Sequence, residues 1–185
     1  MFRKVLLSAI GAAFLAACAG PTGTMPTVAD TGGEYRLGSG DEVRVIVFGQ
    51  PDLSDMFTVN DSGSISMPLL GAVPAQERTT TELETEITQR LQEGLLVDPS
   101  VSVEVQKYRP FYILGEVENP GQYEYANDMT VLTAVAIAGG FTYRANENVV
   151  SLIRAEEGGE PVEGQAARNT VVRPGDVIYV YERFL

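Results

Sequence analysis

The amino-acid sequence predicts an α+β protein made of two small β-rich units, each carrying one main helix. Three observations lead to this class. Short runs of alternating apolar and polar residues, such as "EVRVIVF", "SVSVEVQ" and "DVIYVYE", recur along the chain as half-buried strands do. Two windows of helical period, "TTTELETEITQRLQEG" and "MTVLTAVAIAGG", fall one in each half. A Gly-Asp turn feeds a strand in each half, as "GSGDEVRVIVF" and "RPGDVIYVYER".

The first residues are read as a processing signal. Arg3 and Lys4 precede Val5 to Ala17, an uncharged stretch ending in small residues. Such a helix rises only about 20 Å, short of the ~30 Å hydrocarbon core, so a permanent span is not expected. The stretch "LAACAG" follows, and Cys18 in it is the single cysteine of the 185 residues. "Leu15-Ala16-Ala17-Cys18" resembles the bacterial lipobox, which implies cleavage between Ala17 and Cys18 and a lipid on Cys18. The absence of Asp after the cysteine implies sorting to the outer membrane. Residues 1–17 are thus read as a lipoprotein signal peptide and 18–34, rich in Gly, Pro and Thr, as a lipidated flexible tether. Its residues reach about 50 Å when extended.

Loss of Arg3 and Lys4 takes the net charge from −12 to −14. Such acidity argues against nucleic acid and against a polybasic membrane contact. The chain has no Trp to stack on sugars but has eight Tyr.

The elements then follow in order. Gly38, Gly40 and Asp41 form a turn into a strand over Glu42 to Phe48, with Val43, Val45 and Val47 on one face. "FTVNDSGSISMPLLG" reads as a hairpin around Asn60–Gly63, ended by Pro68. In the first helix Thr79 and Glu82 have capping-box spacing, Leu83, Ile87 and Leu91 form one stripe, and Gly94 closes it. "SVSVEVQKY" is the strand on which that stripe rests. The pattern restarts near Tyr108–Pro110. "FYIL" is a strand, Asn119-Pro120-Gly121 a turn, and a return strand follows. The second helix carries Val131, Leu132 and Val135 on one side and ends at Gly139-Gly140. "NVVSLIRA" is a strand, "EEGGEPVEG" a solvated loop, and "VVRPGDVIYVYERFL" a turn and last strand.

Little here supports catalysis. There is no His, so no imidazole base and no His dyad, and no phosphate-binding loop. Two carboxylates suffice for glycoside hydrolysis, and Asp41, Asp52, Asp55, Glu116, Glu118 and Asp176 are the candidates. Each is better explained as a turn or surface acid. Tyr123, Tyr125, Tyr143, Tyr179 and Tyr181 are candidate sugar platforms, though strand tyrosines more often pack. No enzyme activity, metal or cofactor is expected.

In combination, the motifs resemble a known family. Tyr35 to Tyr108, through "YRLGSGDEVRVIVFGQPDLS", "VNDSGSISMPLLG" and "VDPSVSVEVQKY", resembles the polysaccharide biosynthesis/export domain of outer-membrane polysaccharide export (OPX) lipoproteins. The remainder, through "ILGEVENPGQYEY", "VLTAVAIAGGFTYRAN", "VSLIRA" and "VRPGDVIYV", resembles the soluble-ligand-binding β-grasp (SLBB) repeat. The resemblance implies domains over 35–108 and 109–185. It also implies structural turns at Gly40, Asp41, Gly63, Pro68 and Gly71, then Gly115, Pro120, Gly121, Gly139, Gly140, Pro174, Gly175 and Asp176. The function it implies is non-enzymatic: a periplasm-facing, outer-membrane-anchored lipoprotein of capsular or exopolysaccharide export. It implies a homo-oligomeric ring threaded by the polysaccharide and an inner-membrane polysaccharide co-polymerase as partner. Long family members continue into a pore-lining C-terminal helix, whereas this sequence stops at "YVYERFL". A short member is therefore expected, with a separate outer-membrane barrel protein as a further candidate partner. The alternative function is a tethered β-grasp module that binds a small soluble ligand or glycan.

Overall fold

The computed structural model describes residues 27–28, 34–155 and 160–183. The signal peptide, Cys18 and most of the tether lie outside the described residues. Among the described residues the fold is α+β, with ten strands and two α-helices packed as two hydrophobic cores.

In the first unit β1 (Glu42–Val47) is the centre of a three-stranded antiparallel sheet. Its neighbours are β2 (Asp55–Thr58) and β5 (Val101–Lys107). Alternation places Val43, Val45 and Val47 in the core. Helix α1 (Thr80–Gln92) lies against β5 and β4 (Gly71–Pro74) and buries Leu83, Ile87 and Leu91 completely. Each of these is worth about 2 kcal/mol of apolar transfer. Thr79 caps the helix: its hydroxyl accepts from Glu82 N at 3.1 Å, while the Glu82 carboxylate accepts from Thr79 N at 3.0 Å. That amide bond, with Arg36 nearby, holds the Glu82 carboxyl below the usual range. Gly94 follows the helix at φ +99°, the left-handed conformation expected of a closing glycine. Glu84 accepts from Val103 N at 2.8 Å and so ties the helix to the edge of β5.

The expected hairpin around Asn60–Gly63 forms as a turn but not as a two-stranded ladder. Asn60 Oδ1 accepts from Ser62 N and Ser64 N at 3.0 and 3.1 Å and turns the chain. Val59 is held instead by the first Gly-Asp turn, through Val59 N to Asp41 O and Gly40 N to Val59 O, both 2.9 Å. As a result β2 joins β1, whereas β3 (Ser64–Met67) pairs with β4. Pro68 does end β3, and β4 ends in Pro74 with a Gly at its start, a composition that conceals a strand.

The second unit is a five-stranded mixed sheet in the order β7–β6–β10–β8–β9. The strands are β6 (Phe111–Gly115), β7 (Gly121–Tyr123), β8 (Ala145–Arg154), β9 (Val162–Ala166) and β10 (Val177–Glu182). β6 and β10 run parallel and the other pairs antiparallel. Helix α2 (Val131–Ile137) covers one face, burying Val131, Ala134 and Val135 with Ala138 just beyond its end. Leu132, expected on the inner side, is exposed. One residue turns a helix by about 100°, so a line through residues 131, 134, 135 and 138 leaves position 132 outside. β9 was not expected within the "EEGGEPVEG" loop, because its Gly and acids read as turn. Its inward residues, Gly164 and Ala166, are small. Within the segment read as a tether, Thr27 bridges Gln165 of β9, and Val28 N donates to Gln165 O at 3.0 Å.

Candidate functional site

The two units meet across a cleft of about 1340 Å³, and its floor is built from two copies of one turn. In the first, Asp41 N donates to Gly38 O at 3.1 Å and Asp41 Oδ2 accepts from Gly38 N at 2.7 Å. In the second, Asp176 N donates to Arg173 O at 3.1 Å and Asp176 Oδ2 accepts from Arg173 N at 2.7 Å. Each turn needs a glycine ahead of the aspartate: Gly40 has φ +90° and Gly175 φ +87°. Both aspartates are essentially buried.

A buried carboxylate needs a cation or several donors. Asp176 has both, gripped by Arg154 through Nε at 3.0 Å and Nη2 at 2.7 Å. Asp41 is served from the junction between the units. Arg109 N donates to its Oδ1 at 2.7 Å, Arg109 Nη1 lies 3.5 Å from Oδ2, and Tyr35 donates to Oδ2 at 2.5 Å. Arg109 also donates through Nε to Pro174 O of the second turn at 3.1 Å. Its side chain therefore spans both turns. A Cβ on Gly38 would sit 1.6 Å from Arg109 Nη1, and one on Gly175 would sit 2.7 Å from Arg109 Nε. The glycines leave the space that the guanidinium occupies.

Beside Arg109 stand three tyrosines in series. The Tyr35 and Tyr108 rings meet edge-on at 5.0 Å, and those of Tyr108 and Tyr125 at 5.3 Å. Burial, with the bond to Asp41, raises the Tyr35 phenol well above the ordinary tyrosine range, and burial raises Tyr125. Both rings thus stay neutral donors at physiological pH.

Of the six candidate carboxylates Asp176 lines this cleft, Asp41 is fully buried in the turn whose Gly38 and Ser39 line it, and each aspartate holds its own turn. Asp52, Asp55 and Glu118 are exposed, and Glu116 accepts from the Thr142 hydroxyl at 2.6 Å. Among the candidate tyrosines Tyr125 reaches the cleft. Tyr123 packs on Phe111, Tyr179 and Tyr181 stack on each other, and Tyr143 stands in solvent. Gly63 precedes β3, Pro68 sits in the β3–β4 turn, and Gly71 opens β4 opposite Met67. Gly115 ends β6, Pro120 and Gly121 lead into β7, and Gly139 and Gly140 follow α2. Among the described residues no cluster of acids suited to a metal ion occurs. Sequence reasoning missed Arg109, Arg154, Tyr35 and Tyr108. The available signal was the repeated Gly-Asp turn, since two buried aspartates require two cationic partners.

This architecture, a β-rich unit with a helix on its sheet followed by a five-stranded sheet backed by a short helix, defines a paired α+β class. Residues 29–106 match the family model for polysaccharide biosynthesis/export protein, and residues 110–166 match the SLBB domain. Together, and in this order, the two matches fit a member of the outer-membrane polysaccharide export family. Arg109 lies between the two matched regions. The chain is 44% identical over 119 residues to the exopolysaccharide production protein ExoF of Rhizobium meliloti, covering 58% of this chain and 28% of that protein. It is 29% identical over 184 residues to the EPS I polysaccharide export outer membrane protein EpsA of Ralstonia solanacearum, covering 80% and 48% respectively. The polysialic acid transport protein KpsD of Escherichia coli is 26% identical over 109 residues, covering 58% of this chain and 20% of that protein. The chain spans about half the length of these relatives or less.

Proposed function

We propose that this chain is a non-enzymatic component of capsular or exopolysaccharide export, anchored at the outer membrane by a lipid on Cys18 with its folded part in the periplasm. In this reading, copies assemble into a ring that serves as conduit or adaptor for the polysaccharide above an inner-membrane co-polymerase. The observation that carries the reading is the ordered pair of an export domain and an SLBB domain in one chain, alongside relatives named for polysaccharide export and for polysialic acid transport. The described site is in keeping with a non-catalytic role, because its two buried aspartates are committed to turns and arginines. The cleft itself favours the alternative, a tethered module for a small soluble ligand or glycan.

Deletion of the gene, complemented by the native chain or by Cys18→Ser, tests the proposal. Secreted polymer is expected to fall on deletion and to return with the native chain. Cys18→Ser is expected to leave the membrane fraction. Unchanged amount and length of polymer in the deletion strain would defeat the export reading. Stoichiometric calorimetric binding of a small ligand, without any export defect, would favour the alternative.

A further inference from the structure

Among the described residues, the second unit has two apolar faces that no other element covers. One is the far side of its sheet. Cross-strand register puts Tyr112 and Leu114 of β6, Val177 and Tyr179 of β10, and Ile153 of β8 on that face. Leu114 is 46% exposed and Tyr179 40%. The other is the outer side of α2, where Leu132, Ala136 and Ile137 face away from the sheet; Leu132 is 48% exposed and Ile137 53%. Since α2 turns its buried side to the sheet, the two faces look in opposite directions.

Charge limits what can cover them. The chain carries a net −12, yet no charged residue occurs from Met129 to Tyr143. The open sheet face is also uncharged across β6 and β10 up to Tyr181. The charged group nearest its β9 side, Glu163, already accepts from Ser151 Oγ at 2.8 Å and Tyr181 Oη at 3.4 Å. Acidic copies approach one another at least cost through uncharged surface. The open sheet face and the outer side of α2 are both apolar and look in opposite directions, which suits a head-to-tail contact between copies.

We propose that the outer face of α2 in one copy docks on the open sheet face of the next, a head-to-tail contact through the second unit. This rests on the ring reading above and names its contact surface. Such a heterologous contact repeats and closes into a ring when the rotation permits. A glycan is the less favoured occupant, because the face presents aliphatic side chains, and Ser151, Glu163 and Tyr181 bond to one another.

The test is disulfide trapping in the full chain, with the native protein and its single Cys18 as background. The doubly substituted Ile137→Cys, Tyr179→Cys chain is expected to oxidise into a ladder of multimers, and each single variant to stay at background. Ile137→Glu, at an exposed position, is expected to weaken association by about tenfold or more. Self-linking of either single variant as strongly as the double would overturn the head-to-tail geometry. Assembly seen by native mass spectrometry without a ladder would overturn the surface and leave the ring reading standing. A monomer at every concentration, with polysaccharide retention lost in Tyr179→Ala, would overturn both and give the face to the glycan.

Discussion

Asp41→Asn tests the central contact of the cleft with the smallest change of shape. In the native protein Oδ2 accepts from Gly38 N and the Tyr35 hydroxyl, and Oδ1 accepts from Arg109 N. An asparagine has one acceptor oxygen. If that oxygen faces Gly38, the new NH₂ meets the Arg109 N–H; if the amide flips, NH₂ meets the Gly38 N–H. Either way one backbone donor at a fully buried position loses its partner, at a cost of about 1–3 kcal/mol. The guanidinium of Arg109 also loses its counter-charge, so the total comes to about 2–4 kcal/mol. For a chain of this size 1 kcal/mol lowers Tm by roughly 2–4 °C, which gives a fall of roughly 4–16 °C. Thermal melts followed by circular dichroism measure it, and urea denaturation measures the free energy, with Asp52→Asn, an exposed acid, as the control. A loss no larger than that of the control would refute the argument that Asp41 is a buried hub. A second readout is spectroscopic: without the carboxylate the Tyr35 phenol is expected to ionise at lower pH, although burial still holds it high.

Gly115→Ala is expected to destabilise the second unit by at least about 2 kcal/mol, because Gly115 has φ +88° and a Cβ there would lie 2.1 Å from Val180 O. Gly49→Ala, at φ +75° but in open space, is expected to cost about 1 kcal/mol, and thermal melts compare the two. Glu86 accepts from Arg78 and Arg90 at 2.7 Å each, and these bonds hold its carboxyl below the usual range. A lowered folded-state pKa gives stability that is present above the unfolded value and lost as pH falls through the folded one. Glu86→Gln should therefore cost up to about 1 kcal/mol at neutral pH, and the difference from the native chain should shrink in acid denaturation series below about pH 4.

What was legible in the sequence follows from local chemistry. The capping box at Thr79 and Glu82, the Leu83–Ile87–Leu91 stripe and the alternation of β1 each depend on residues within a few positions of one another, and each appears in the structure. What was not legible is settled by distant partners. Asn60–Gly63 carries every mark of a hairpin turn, yet Val59 is drawn into the first Gly-Asp turn and the expected ladder gives way to β3 with β4. β9 lacks a hydrophobic run because it places Gly164 and Ala166 on the core side. The site shows the same division. Both Gly-Asp turns could be read, whereas Arg109 stands in "KYRP" at a break in the pattern, and its role depends on Pro174, which lies 65 positions away.

The two turns also differ in a way that bears on how the units depend on each other. Asp176 is satisfied from inside its own unit, by Arg154 at the end of β8. Asp41 is not: its main-chain donor from outside the turn and its cation both belong to Arg109, beyond the last strand of the first unit. The same arginine bonds the turn that holds Asp176, so ordering the first turn also fixes the second unit against it. Swinging the second unit away would break the bond from Arg109 Nε to Pro174 O, at a cost of about 1–3 kcal/mol. The junction is braced by the same residue that satisfies the first turn. In the proposed ring, whose contacts run through the second unit, such a brace would hold the first unit of each copy at one angle to the ring.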